Sequence, residues 1–241
     1  MKEDQEESLI EHLEALRKVL IKSLMALAIG LIPMFFLAPH FIDILLKVML
    51  AENDITLNFF APMEVFIIEL KTAVVLDIVV CFPYIAKEWW KFIAPALYDN
   101  ERNFIKLIVL TSSMLFITGV LFCAFFILPL VIRFGLSFVS DSIQPVFGIS
   151  NMISLALWLS LVFGIMFQFP LITAALIRAD ILSYQDIKNK RSYVFVGILI
   201  LSGLLTPPDI VSQLMLTVPT YVLFEIGLYF GKKHEYRKKN T

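Results

Sequence analysis

The sequence predicts an all-α polytopic membrane protein with six transmembrane helices, arranged as a single membrane domain over residues 1–241. Hydrophobic residues make up 59% of the chain, compared with roughly 45–50% in soluble proteins. The charged residues cluster at the ends of long apolar runs, which leaves little chain for a separate soluble domain. Seventeen of the 20 Lys and Arg residues fall on one side of the predicted spans, and the positive-inside rule makes that side cytoplasmic. Both termini are therefore predicted to lie in the cytoplasm.

Residues 1–18 are predicted to form a cytosolic amphipathic helix. Ser8 and Glu11 have the spacing of a capping box, and leucines recur at helical spacing after them. The chain starts with acidic residues rather than a basic segment, so we expect no cleavable signal peptide.

Six apolar runs are long enough to be read as spans. They cover approximately residues 19–37, 65–86, 107–132, 152–177, 192–208 and 210–231. Residues 38–64 are predicted to be an outer cap loop, because the apolar stretch Phe41–Leu50 within them is too short to cross a bilayer. Residues 232–241 form a basic cytosolic tail.

The fifth and sixth spans are predicted to be short. Only 17 residues lie between Arg191 and Asp209, or about 25 Å of helix against a hydrocarbon core of roughly 30 Å. We expect this hairpin to thin the bilayer around it and to leave a concave, open bundle.

Three of the polar residues inside the predicted spans are candidates for a functional role. Asp77 is about 15 Å from the inner edge, where a carboxylate must face a polar cavity or be satisfied by a neighbouring helix. Gln168 lies beside Pro170, which predicts a bent helix whose amide bonds to another span or lines a polar kink. Glu225 is about 10 Å from the inner edge.

The segment 89–102 between the second and third spans is rich in aromatic residues. Trp and Tyr side chains suit the membrane interface, and Pro95 is expected to limit the preceding helix. The segment therefore predicts a surface ledge that presents Glu101 to water, although a simple membrane-edge turn has the same composition.

Several motifs give the chain a family resemblance. They are His12-Leu13 with Leu16-Arg17-Lys18, Phe92-Ile93-Ala94-Pro95-Ala96-Leu97-Tyr98 with Glu101-Arg102, Phe163-Gly164 with Phe167 and Pro170, Leu205-Thr206-Pro207-Pro208-Asp209 with Ser212-Gln213, and Leu223-Phe224-Glu225-Ile226-Gly227. In this order, and together with the six spans, they resemble TatC, the multispanning subunit of the twin-arginine protein translocase.

The resemblance implies a receptor for signal peptides that carry paired arginines. The N-terminal helix and the first cytosolic loop would form the docking surface, with Glu101 as the chief anionic contact and Phe92 and Tyr98 beside it. A carboxylate next to an aromatic face suits a guanidinium. Arg17 and Pro95 belong to the same matched motifs and are further candidates for signal-peptide binding.

The chain departs from the family pattern at the N-terminal helix. The family has a Glu three residues after a His that matches His12, and this chain has Ala15 there. Glu14 lies about 100° round the helix from that position, and Glu11 lies one turn before it on the same face. Either carboxylate is a candidate for the second anionic contact.

Other matched positions point to partner docking and translocation. Pro207, Pro208, Asp209 and Gln213 match family residues at the outer end of the short hairpin. Gln168 stands where many members carry a membrane-buried Glu, so a proton-linked role at that position is not expected.

The implied partners are TatA/TatB-type single-span membrane proteins, signal peptides of folded precursors and membrane lipids, in a homo-oligomer within a larger complex. No nucleic-acid partner, cofactor, metal or enzymatic activity is expected. The chain contains no P-loop, and the resemblance implies that the proton-motive force supplies the energy. The alternative is an ion-coupled transporter of a small solute that uses Asp77, Gln168 and Glu225 as a relay, although no inverted repeat accompanies them.

Overall fold

The fold is built almost entirely of helices, which confirms the predicted all-α class. The computed structural model describes residues 2–50, 57–97, 102–137, 146–178, 181–206 and 210–239, without the side chains of 2–12, 94–97, 102–105 and 233–239. The helices are α1 (Lys2–Leu50), α2 (Glu64–Leu97), α3 (Arg102–Phe122), a π-helical turn (Cys123–Ile127), α4 (Leu128–Leu136), α5 (Ile149–Met166), α6 (Phe169–Arg178), α7 (Tyr184–Asn189), α8 (Arg191–Leu205) and α9 (Ile210–Lys239), and two short strands are β1 (Leu57–Asn58) and β2 (Phe147–Gly148).

Helix α1 extends further than the sequence predicted. Residues 38–50 were assigned to an outer loop, yet α1 continues through Pro33 and Pro39 as far as Leu50. The reason is a buried stripe at helical spacing, Ala38, Ile42, Leu45 and Met49, whose last three members join the main hydrophobic core. Burial of this face outweighs the two hydrogen bonds lost at the prolines.

Four segments of the described chain are long and apolar enough to cross a membrane. They are Leu13–Leu50, Lys106–Leu136, Ile149–Arg178 and Ile210–Lys232. Helix α8 is apolar but has only 15 residues, or about 22 Å, in keeping with a short fifth span. Helix α2 has 34 residues and carries Glu69, Lys71 and Asp77. The count of six crossings remains a prediction.

Prolines shape the third and fourth apolar runs. The π-helical turn directly precedes α4, and the N–H of Leu128 donates to the carbonyl of Cys123. Pro129 follows and has no N–H to donate. The π-helical turn, in which an N–H bonds to the carbonyl five residues back, thus stands where the regular α-helical hydrogen bonding is interrupted. In the fourth run α5 ends at Met166 and α6 begins at Phe169. This break just before Pro170 agrees with the predicted bend.

The core lies where α3 crosses α5. Phe116 and Phe163 are almost fully buried. A methyl group on Gly164 would lie 2.7 Å from the Phe116 ring, and one on Gly119 would lie 2.6 Å from the carbonyl oxygen of Phe163. These two glycines let the helices approach closely enough for the aromatic rings to fill the space between them.

Glu64 connects the starts of α2 and α5 at the predicted outer end of the bundle. Its carboxylate accepts the N–H groups of Phe60 at 2.6 Å, Ala61 at 3.3 Å and Ser150 at 3.2 Å. Strands β1 and β2 pair in parallel beside it. The bond from Phe60 is the main reason that the pKa of Glu64 lies below its usual value. The carboxylate thus connects the start of α2 to the start of α5.

Candidate functional site

Helices α1 and α2 are joined by an ion pair near their predicted cytosolic ends. The Lys22 Nζ atom lies 3.0 Å from Glu88 Oε2, and Lys91 Nζ lies 3.4 Å from Glu88 Oε1. Glu88 is buried whereas both lysines are half exposed. The hydrogen bond from Lys22 is the main reason that the pKa of Glu88 lies below its usual range, and the charge of Lys91 lowers that pKa further. The pair fixes how α1 lies against α2.

Deeper in the same interface lies Asp77, which is only 3% exposed. The Cys81 thiol donates to Asp77 Oδ1 over 3.3 Å. A methyl group on Gly30 would overlap that same oxygen. The Asp77 carboxyl is thus bonded within its own helix and lies against Gly30 of α1.

The predicted docking surface is only partly described. Glu14 and Arg17 are exposed on α1, and Phe92 is half-buried on α2. Helix α2 continues through Pro95 to Leu97, so the expectation that Pro95 limits this helix is wrong. Pro95 has no N–H and so cannot make one backbone hydrogen bond of the helix. Membrane helices tolerate the loss of such a bond, and α2 packs against α1 over a long contact. The residues Tyr98 and Glu101, and the side chains of Glu11 and Pro95, lie outside the described part.

Gln168 bridges the kinked fourth run and α3. Its Oε1 atom accepts from the Ser112 hydroxyl at 2.7 Å, and its Nε2 atom donates to the Ser112 carbonyl at 3.1 Å. A longer bond of 3.5 Å runs to the carbonyl of Gly164. The amide therefore fastens two helices at the break between α5 and α6.

Gln213 and Glu225 fasten the α8–α9 hairpin at two levels. Gln213 Nε2 donates to the Leu199 carbonyl at 3.0 Å, in the space that Gly203 leaves open. Towards the other end, Arg191 Nη2 donates to Glu225 Oε2 at 2.7 Å. The turn residues Pro207, Pro208 and Asp209 lie outside the described part.

The partners of these residues were not predicted from the sequence. Ser112 lies 56 residues before Gln168, and no local pattern links the two positions. Arg191 lies 34 residues before Glu225, and only the hairpin geometry brings them together. Glu88 carried a usable signal, since it stands three residues before Lys91 on a helix.

Asp77, Gln168 and Glu225, all in the described part of the chain, are not linked to one another by hydrogen bonds. Asp77 contacts α1, Gln168 contacts α3, and Glu225 contacts α8. Among the residues that the structure describes, no hydrogen bond joins any two of these three. Gln168 and Glu225 bond to different neighbouring helices, whereas the hydrogen bond to Asp77 comes from Cys81 on its own helix.

Comparisons with known proteins give a consistent family. The family model described as Sec-independent protein translocase protein (TatC) matches residues 11–219. The chain belongs to the TatC family. It is similar to TatC of Carboxydothermus hydrogenoformans, with 36% identity over 95% of each chain. It is also similar to TatC of Escherichia coli K12, with 32% identity over 96% of this chain and 91% of that one.

The solved structures agree with this family. A crystal structure of the twin-arginine translocase receptor TatC, in the detergent DDM, superposes with a TM-score of 0.84 at 30% identity, over 91% of this chain and 99% of that one. The chain is therefore a membrane protein and a component of the Sec-independent protein translocase. This family is one of translocase components rather than enzymes, and the small-solute transporter finds no support among the relatives.

Proposed function

We propose that this chain is the signal-peptide receptor of its translocase and binds paired arginines at the cytoplasmic face of the inner membrane. Both termini lie on that face in this proposal. The docking surface comprises the start of α1 and the segment 92–101. The observation that carries the proposal is the antiparallel packing of α1 on α2, which directs the start of α1 towards the end of α2 beyond the Lys22–Glu88 contact.

The register of this pairing supports the proposal. Lys22 bonds to Glu88, and Phe35 contacts Phe66 with ring centroids 6.1 Å apart, so the two helices run antiparallel. Counted from the Lys22–Glu88 contact alone, eight residues back along α1 and eight residues forward along α2 bring position 14 level with about residue 96, since both helices rise about 1.5 Å per residue. The first turns of α1 would thus stand beside Phe92 and the chain that leads to Glu101.

The same register favours Glu11 over Glu14 as the second carboxylate. Position 11 lies about 20° round the helix from Lys22, and position 14 lies about 80° from it. Measured from the buried Val19, position 11 lies about 80° round the helix and position 14 about 140°. By helix geometry position 14 therefore faces away from α2, whereas position 11 falls on the side that carries Lys22 towards Glu88.

The rest of the proposed mechanism uses the remaining helices. The signal's apolar segment would lie along the wall made by the kinked fourth span and the short α8–α9 hairpin. TatA/TatB-type single-span partners would pack along the fifth and sixth spans, with Asp209 and Gln213 at their outer end. Several copies would assemble in the larger complex, and the proton-motive force would drive transport.

Binding of a twin-arginine signal peptide to the purified full chain tests the proposal. A carboxylate–guanidinium contact contributes roughly 1.5–3 kcal/mol, so Glu101→Ala should weaken binding about 10- to 100-fold. Glu11→Ala should weaken it more than Glu14→Ala. Asp43→Asn is the matched control, because Asp43 is an exposed acid on α1 far from the proposed surface. Unchanged affinity in Glu101→Ala would overturn the assignment.

A further inference from the structure

A groove runs between α3, α6 and α9 on a side of the bundle that exposes the apolar side chains of Leu107, Ile226 and Phe230. It encloses about 470 Å³, within the roughly 300–1,000 Å³ typical of ligand pockets. Pro170 packs against Gly227 and Ile177 against Gly231, where added methyl groups would overlap their neighbours. This close contact of α6 with α9 makes the floor of the groove, and α3 forms its other wall.

The lining is apolar along nearly the whole groove. Only Thr111 and Arg178 are polar, and Arg178 lies at one end. From Pro170 to Arg178 the groove extends about 12 Å along α6. The apolar lining residues are Leu107, Ile108, Leu115, Pro170, Leu171, Ala174, Ala175, Leu223, Ile226 and Phe230.

Cations gather at the end marked by Arg178. Lys106 precedes the first lining residue of α3, and Lys232 follows the last lining residue of α9 with its Nζ atom 5.6 Å from the Tyr184 ring centroid. Neither α3 nor α6 contains an acidic residue. Glu225 on α9 is engaged by Arg191 at 2.7 Å. Each of the three helices around the groove thus contributes a cation to the same end.

We propose that the groove binds an anionic phospholipid, with an acyl chain along the apolar lining and the headgroup phosphate at Lys106, Arg178 and Lys232. An anionic lipid complements both parts of the groove, because its acyl chain matches the apolar lining and its phosphate matches the cations at the interface. A signal peptide with paired arginines fits less well, because its cations would meet cations. The positive-inside orientation places this site in the cytoplasmic leaflet. The inference does not depend on the receptor role.

Native mass spectrometry of the full chain in detergent tests the proposal. The protein is exposed to equal amounts of phosphatidylglycerol and phosphatidylcholine with identical acyl chains, and the retained lipids are counted. We expect preferential retention of one phosphatidylglycerol. The double variant Lys106→Gln/Arg178→Gln should reduce that preference about 25-fold, since each interfacial cation contributes about a factor of five. Lys188→Gln/Lys190→Gln is the matched control and should retain it.

Two further variants separate the groove from the charges. Ala174→Phe fills the groove and should abolish retention of both lipids. Ile226→Trp obstructs it from an exposed position, so it tests the same point with little risk to folding. Ile172→Phe, on an exposed face of α6 outside the groove, should behave as wild type. Equal retention of the two lipids by the wild-type chain would overturn the proposal, as would wild-type retention in both blocked variants. Displacement of the lipid by a twin-arginine peptide, together with unchanged preference in Lys106→Gln/Arg178→Gln, would assign the groove to the peptide instead.

Discussion

The contact between α6 and α9 allows a sharp test of how tightly this bundle is packed. Gly227 is buried on α9, and a methyl group there would lie 2.6 Å from both the Cα atom and the carbonyl oxygen of Pro170. Those atoms belong to the backbone, so they cannot rotate away as a side chain would. Gly227→Ala must therefore separate the two helices.

The expected magnitude follows from two opposing contributions. Replacing Gly with Ala inside a helix stabilises it by about 1 kcal/mol, and overpacking typically destabilises by about 1–3 kcal/mol. Gly197→Ala supplies the matched control, because Gly197 is exposed on α8 and nothing lies within 4 Å of the added methyl. The gain in helix propensity cancels between the two variants. Gly227→Ala should thus be about 1–3 kcal/mol less stable than Gly197→Ala.

Thermal unfolding in detergent, followed by circular dichroism, measures this difference. For a chain of this size 1 kcal/mol corresponds to roughly 2–4 °C in Tm, so the two variants should differ by about 2–12 °C. Equal Tm values would show that α6 and α9 are not in contact at Pro170, and the reasoning about this interface would fail.

Three other predictions concern polar contacts. The pair Arg191–Glu225 is partly exposed, with 40% and 31% of the side chains accessible. A double-mutant cycle with Gln at both positions should therefore give a coupling free energy of about 0.5–1 kcal/mol. Zero coupling would mean that the pair does not stabilise the hairpin. A cycle with Gln168→Leu and Ser112→Ala should give about 0.6–1.7 kcal/mol in denaturant unfolding, and strict additivity would contradict the bridge. The folded-state pKa of Glu64 is lowered from 4.5, so its contribution to stability is complete above that pH and is lost as the pH falls through the folded-state pKa. Glu64→Gln should remove this part of the acid sensitivity, and an unchanged pH profile would refute its role.

The sequence was sufficient for the features that depend on local chemistry. The apolar runs predicted an all-helical membrane fold, and the bend beside Pro170 followed from a missing backbone donor. The polarity of Gln168 also indicated a residue that needs a partner inside the bilayer. Each of these inferences used residues close together in the chain.

The features that depend on distant packing were not predictable in this way. The apolar stretch Phe41–Leu50 is too short to cross a bilayer and predicted an outer loop, yet burial of Ile42, Leu45 and Met49 against the core keeps α1 helical to Leu50. Pro95 likewise remains inside α2. The partners Ser112 and Arg191 depend on which helices become neighbours, and that information lies in the tertiary arrangement.

Site-specific photocrosslinking to a signal peptide tests the central claim most directly. A photoreactive residue at Phe92 should label a peptide with paired arginines strongly and the same peptide with paired lysines weakly, because lysine cannot bind a carboxylate in two places. Phe36, exposed on the far half of α1, is the control position and should give little labelling with either peptide. Equal labelling of the two peptides at Phe92, or stronger labelling at Phe36 than at Phe92, would contradict a docking surface at the paired ends of α1 and α2.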